Sequence, residues 1–383
     1  MLHSQPRYKK GKQSKKNKFV VLGPRDRNLN QVSQAQILIG QTAGFTGAVA
    51  AGANETTLGA KLYLDAINAQ GGIGGQKIKL ISLDGKFEVN LAAENARKLI
   101  EEQNVVAIFL TRGTPHTEGI LPLLDKYGVP LIGPSTGAMV LHQPVKKHVF
   151  NVRATCQRET ERAVTHLSSM GISGIEIVYA DDSFGIDGVV GAQKGLANAK
   201  LQPVVLEKFN RAKPDFGPIA PKVYQSNAQA VIMVASGQAV LDGVKAFRAA
   251  GSTAQIVTLS NNASSGFVKS LGENGRGLIV AQVFPNERSI AYPMVKEELE
   301  LARAKGLPEV SPAMLEGFAA AKVLVESLRC ASPKPSREKI QSALEGLRKL
   351  DIGGLEVSYS PQNHTGLDFA DLSIVGNDGK FKR

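Results

Sequence analysis

The sequence predicts an α/β protein built from two doubly wound parallel-sheet lobes. Three observations carry that reading. The chain has 383 residues, more than one ordinary core holds, so two lobes are the starting expectation. Its strand candidates are continuous apolar runs rather than alternating ones, the pattern of parallel strands covered by helices on both faces. The same strand–helix order also runs twice, restarting near Phe150.

In the first block, Ile37–Gly40 is a strand and a small-residue loop leads from it to Gly52. Thr57 to Gln70 is a helix, because Leu58, Leu62, Ala66 and Ile67 make an apolar stripe. The glycines of "GGIGG", residues 71 to 75, stop it. Strand Ile78–Leu83, helix Asn90–Glu102, strand Val105–Leu110, helix Thr117–Tyr127 and strand Pro130–Gly133 complete the block. The second block reads helix Gln157–Met170, strand Ile175–Tyr179, helix Ile186–Ala199 and strand Val204–Glu207. It continues as helix Pro218–Gln225, strand Ala230–Val234, helix Ala239–Ala249 and strand Ile256–Leu259. Beyond it come strand Leu278–Gln282 and helices Ala291–Ala304, Pro312–Arg329 and Ser336–Leu347. A closing hairpin is expected between Gly354–Tyr359 and Leu372–Val375, turning at Ser360–Thr365.

Composition narrows the class. Hydrophobic content of 43% with 21% charged residues is that of a globular protein. No apolar run approaches the roughly 18 residues of a membrane span. The net charge of +12 is uneven: residues 1–33 hold nine basic residues against Asp26 alone, which leaves +8 in the tail and +4 in the rest. A mildly basic body is a weak nucleic-acid signal, and no nucleic-acid partner is expected. Residues 1–35 read as a disordered basic leader, since they have little to bury. The longest apolar run there, Phe19–Leu22, is too short for a secretory signal. The two cysteines, Cys156 and Cys330, cannot build a zinc site, and they read as unpaired small hydrophobes.

Ligands of open parallel sheets bind beyond the carboxyl ends of the strands. The segments at those ends share a theme here. The first strand leads to Gln41-Thr42-Ala43-Gly44-Phe45-Thr46, the third to Arg112-Gly113-Thr114-Pro115, and the fourth to Ser135-Thr136-Gly137. In the second block the corresponding stretches are Asp181-Asp182-Ser183-Phe184, Ser236-Gly237 and Ser260-Asn261. Short hydroxyls, amides and free backbone N–H groups suit a small ligand carrying a carboxylate. Single positions of this kind also serve as ordinary helix caps. Arg112 either pairs an anionic ligand or a neighbouring carboxylate. No nucleophile elbow, metal-ligand spacing or phosphate loop is present, so no catalysis, cofactor or metal is expected.

Three stretches, "INAQGGIGGQKIKLISLDGK", "YGVPLIGPSTGA" and "YADDSFGIDG", carry a resemblance. Over residues 36–383 the chain resembles the periplasmic leucine/isoleucine/valine-binding proteins, the type I solute receptors of ABC importers. The resemblance implies two lobes joined by three crossovers, with residues 36–154 plus 282–350 in one and 155–281 plus 351–383 in the other. It implies a monomeric, non-enzymatic periplasmic receptor that closes on a small solute and docks on a membrane permease. A ligand-sensing regulator of the same fold is the alternative. By the same resemblance, Thr114 takes the solute carboxylate, and Ser135, Thr136 and Gly137 hold carboxylate and amine. Phe184 covers the solute, and Ser236 and Gly237 stand where an aromatic is common. The acid that pairs the solute ammonium belongs near Ser260-Asn261, and neither is acidic. A buried ammonium without a counter-charge costs several kcal/mol. A carboxylate without an amine therefore suits Arg112, Thr114 and room at Gly137 and Gly237, unless Asp181, Asp182 or Glu287 substitutes. The cysteine that some relatives carry in the third-strand loop is Gly113 here.

Overall fold

The computed structural model describes residues 36–383; the expected leader lies outside the described residues. The first block runs β1 (Ile37–Ala43), α1 (Ala50–Ala69), β2 (Ile78–Asp84), α2 (Val89–Glu101), β3 (Ala107–Phe109), α3 (Thr114–Glu118), α4 (Leu121–Tyr127), β4 (Leu131–Ile132) and β5 (Val149–Phe150). Its five strands are all parallel, in the order β2-β1-β3-β4-β5. The second block runs α5 (Cys156–Ser169), β6 (Ile175–Ala180), α6 (Ser183–Asn198), β7 (Leu206–Phe209), α7 (Ala220–Gln225), β8 (Ala230–Val234), α8 (Gln238–Ala249), β9 (Gln255–Thr258), α9 (Ser265–Leu271) and β10 (Ile279–Gln282). Then come α10 (Pro293–Ala304), α11 (Pro312–Cys330), α12 (Arg337–Glu345), β11 (Leu350–Asp351), β12 (Glu356–Val357), β13 (Asp371–Val375) and β14 (Phe381–Lys382). The second sheet has seven strands, β14-β13-β10-β9-β8-β6-β7, with an antiparallel edge of β13 and β14.

Buried strands explain the apolar runs: all five residues of β8 are buried. Helix α1 begins at Ala50, earlier than the periodicity suggests, because Ala50-Ala51-Gly52-Ala53 carries little stripe but enough alanine to propagate a helix. The helix expected over 117–127 is two helices. Pro122 sits at the start of α4, where a missing N–H costs nothing, and the break falls at Gly119-Ile120.

The expected closing hairpin does not form. β12 pairs back with β11, Leu350 against Val357. Asp351 causes this: its Oδ1 accepts from Gly353 N at 2.8 Å and Gly354 N at 2.6 Å, a tight local turn. β13 pairs instead with β10 and β14. The lobe boundary expected at 350/351 also shifts. Ile352, Val357, Tyr359 and Leu367 pack in the core under the first sheet, so the chain crosses back only after Leu367. The other passages come after Phe150 and Gln282. The passages hold each other: Asn151 N donates to His364 O at 2.9 Å, Leu367 N to Val152 O at 2.9 Å, and Tyr359 Oη to Asn151 O at 2.7 Å.

Candidate functional site

β3 and β4 end side by side, and their loops extend the pairing one step further. Arg112 bridges Ser135, and Ser135 N donates to Thr111 O at 2.6 Å. This local geometry gathers four of the expected residues. Arg112 Nη1 donates to Ser135 Oγ at 3.1 Å, and the hydroxyls of Thr114 and Thr136 share a hydrogen bond of 2.6 Å. From the other sheet, the turn after β9 presents Asn261. Its side-chain amide donates to Ser236 Oγ at 2.8 Å and to Ala235 O at 3.1 Å. The two halves meet where Arg112 Nη2 donates to Asn261 O at 2.6 Å. Between them lies about 360 Å³ of atom-free space, counting its open mouth. Arg112, Thr114, Ser135, Thr136, Phe184, Ser236 and Asn261 line it, with Val49, Phe87, Arg153, Glu159 and Arg211.

Its electrostatics are lopsided. Arg153, on the passage after Phe150, is 2% exposed. It pairs with Glu159 of α5, donates to Ser260 Oγ at 2.7 Å and lies 3.7 Å from Glu316 of α11. Glu159 Oε2 in turn accepts from Ser260 N at 2.8 Å. Burial opposes the Arg153 charge, but Glu159 and Glu316 outweigh it and hold the guanidinium's pKa above its ordinary value. Arg112 is 6% exposed and, among the described residues, has no carboxylate within 4 Å. Burial pushes its pKa down. Glu316 and Glu55, beyond contact distance, offset part of that. A guanidinium still keeps its proton, so the charge stays, with neutral acceptors as its contacts. Gly52 of α1 makes room for it: a Cβ there would stand 2.4 Å from Arg112 Nη2.

Five expected residues do not face the space. Phe45 N donates to Asp84 Oδ1 at 2.9 Å and its carbonyl accepts from Asn54, which fixes the loop beside the cavity. Pro115 serves the first turn of α3. Gly137 and Gly237 are not room for a ligand. A Cβ on Gly137 would meet Ala154 O at 2.3 Å, and one on Gly237 would meet Ala48 O at 1.8 Å. Gly237, at φ +51°, lets the second sheet's rim close against the first, where Gln238 N donates to Ala48 O at 3.0 Å. Ser260 is drawn into the Arg153 cluster.

The possible substitute acids are engaged elsewhere. Asp181 pairs with Lys208. Asp182 pairs with Arg211 and caps α6 through Phe184 N and Gly185 N. Glu287 lines a different groove, beside Phe381 and Arg303. Cys156 is buried and free, and Cys330 exposed and free.

Phe87, Arg153, Glu159 and Arg211 are among the lining residues not expected from the sequence. Phe87 comes after β2 as directly as Thr114 comes after β3, so its position is a usable signal. Arg211 sits in a loop with no motif, and Arg153 meets Glu316 only after folding.

The profile of a family described as periplasmic binding protein matches residues 36–373. The chain is 25% identical to the Leu/Ile/Val-binding protein BraC3 of Rhizobium johnstonii over 86% of this chain and 88% of that protein. It is 25% identical to an amino acid binding protein of Pseudomonas aeruginosa over 51% of this chain and 53% of that one, so that match spans about half of the relative. Among solved structures, a substrate-binding periplasmic protein from Ralstonia solanacearum superposes with a TM-score of 0.83 at 30% identity, covering 90% of this chain and 99% of that one. A possible leucine/isoleucine/valine-binding protein from Rhodopirellula baltica superposes with a TM-score of 0.86 at 24% identity, covering 93% and 98%.

Proposed function

Given that the chain belongs to the periplasmic binding protein family, a family of non-enzymatic solute receptors, we propose that it captures a small carboxylate without an α-ammonium, in the space beside Arg112, for import. One observation carries this reading: Arg112 is a buried cation whose nearest partners are neutral. Leaving such a charge unpaired costs several kcal/mol, and an anionic guest removes that cost. Thr114, Ser135 and Thr136 add hydroxyls on the same wall. The ammonium of an amino acid finds no comparable partner among the described residues. Glu159, the carboxylate lining the cavity, is committed to Arg153 and Ser260.

The wall is divided between the sheets. Arg112, Thr114, Ser135 and Thr136 come from the first, and Phe184, Ser236 and Asn261 from the second. A solute touching both favours the closed arrangement by its differential affinity for it. The closed receptor then delivers its load to a membrane permease of an ABC importer from the periplasmic side. Deleting the gene should abolish whole-cell uptake of the labelled solute; a sensor of the same fold leaves uptake intact.

Calorimetry with 4-methylpentanoate and leucine tests the ligand reading, because the two differ by the ammonium. The acid should bind at least tenfold more tightly, a difference of about 1.4 kcal/mol. Tighter binding of leucine would overturn it.

A further inference from the structure

Arg211 meets aromatic faces from both halves of the site. Its guanidinium carbon lies 5.5 Å from the ring centre of Phe87 and 5.4 Å from that of Phe184. Phe87 lies just past β2, and Phe184 stands in the first turn of α6. Asp182 holds Arg211 by its edge, with Nη2 to Oδ1 at 3.0 Å and Nε to Oδ2. That pairing answers the charge and occupies edge donors. Phe87 is braced by His116, stacked at 4.1 Å with 17° between the planes. It is also held at φ +60°, a backbone conformation that a bulky residue adopts only under constraint. All three groups line the same space as Arg112.

We propose that Phe87, Phe184 and Arg211 form a slot for a flat ring, and that Arg211 is the residue selecting flatness. This rests on the carboxylate reading of the same site. The acid group lies toward Arg112, and the ring lies among the two phenyl rings and the guanidinium face. A guanidinium is weakly hydrated on its faces and stacks on a π-system, whereas a puckered saturated ring offers no such surface.

The test is calorimetry on the full chain with benzoate and cyclohexanecarboxylate, which share a carboxylate and ring size and differ in planarity. Benzoate should bind about tenfold more tightly. Arg211→Lys keeps the charge beside Asp182 and loses the flat face. It should cut the preference to about twofold by weakening benzoate more than cyclohexanecarboxylate. Arg211→Gln, checked for an unaltered melting curve, should do the same. Equal affinity for the two acids in the unmodified protein overturns the slot, as does a tenfold preference that survives both variants. If that happens while Arg112→Met still abolishes binding of both acids, the carboxylate reading stands alone. If neither acid binds, the slot falls, and the 4-methylpentanoate comparison then decides the carboxylate reading separately.

Discussion

Arg112 and Arg153 are two buried arginines lining one cavity, and they differ in what touches them. Arg153 is answered from inside the protein, by Glu159 on one side of the cleft and Glu316 on the other. Arg112 has a hydroxyl and a backbone carbonyl and, among the described residues, no carboxylate. A compensated buried cation is structural: it ties the first passage between the sheets to α5 and α11. One without a carboxylate in contact is left for the anionic guest proposed above. The cavity is therefore legible from charge balance as well as from shape.

The largest effect should come from breaking the compensated site. Arg153→Met leaves Glu159 and Glu316 buried together without their cation. That should cost about 3–5 kcal/mol, read as a fall in the urea midpoint at unchanged slope. A loss under about 1 kcal/mol would erase the distinction between the two arginines. Arg112→Met should behave in the opposite way. Removing a buried cation with no carboxylate in contact should leave the free protein about as stable as before, or more so. It should weaken carboxylate binding about 100-fold, roughly 2.7 kcal/mol. A variant that loses stability as Arg153→Met does would mean that Arg112 is structural as well.

The two sites also differ in how far sequence reveals them. Arg112 stands three residues past β3, a buried strand, so its place at the sheet edge comes from the strand pattern, as do those of Thr114, Ser135 and Thr136. Glu316 lies on a helix far along the chain, and nothing local marks it as the partner of Arg153. The fold class is legible in apolar runs alternating with helical stripes. The closing hairpin fails because Asp351 builds a nearer turn than the one at Ser360–Thr365. Gly137 and Gly237 suggest space in the sequence because a missing side chain has two meanings. It leaves room for a ligand or lets backbones touch, and only the distances to Ala154 O and Ala48 O separate them. Phe87 carries the signal of its place just past β2, but no residue type announces the positive φ at Lys86 and Phe87 that shapes its loop.

The smallest effect sharpens the comparison with a charge of the other sign. Glu298 of α10 is fully buried, and among the described residues neither carboxylate oxygen has a hydrogen-bond partner. It packs away from the cleft, yet by the same charge balance as Arg112 it too lacks compensation. The difference is that a carboxyl can shed its charge by holding a proton, and burial raises the Glu298 pKa well above the ordinary value. A guanidinium has no such escape. A folded pKa above the unfolded one gives a contribution that is full below the unfolded value, near about 4.3, and lost as pH rises through the folded one. Glu298→Met should therefore gain over the unmodified protein as the pH rises, by about 1–2 kcal/mol at pH 8 relative to pH 4. Urea unfolding of both proteins at the two pH values measures this directly, since every other titrating group cancels. A gain independent of pH would show that Glu298 does not hold its proton, and a lone buried charge would then cease to be a mark of a ligand site in this protein.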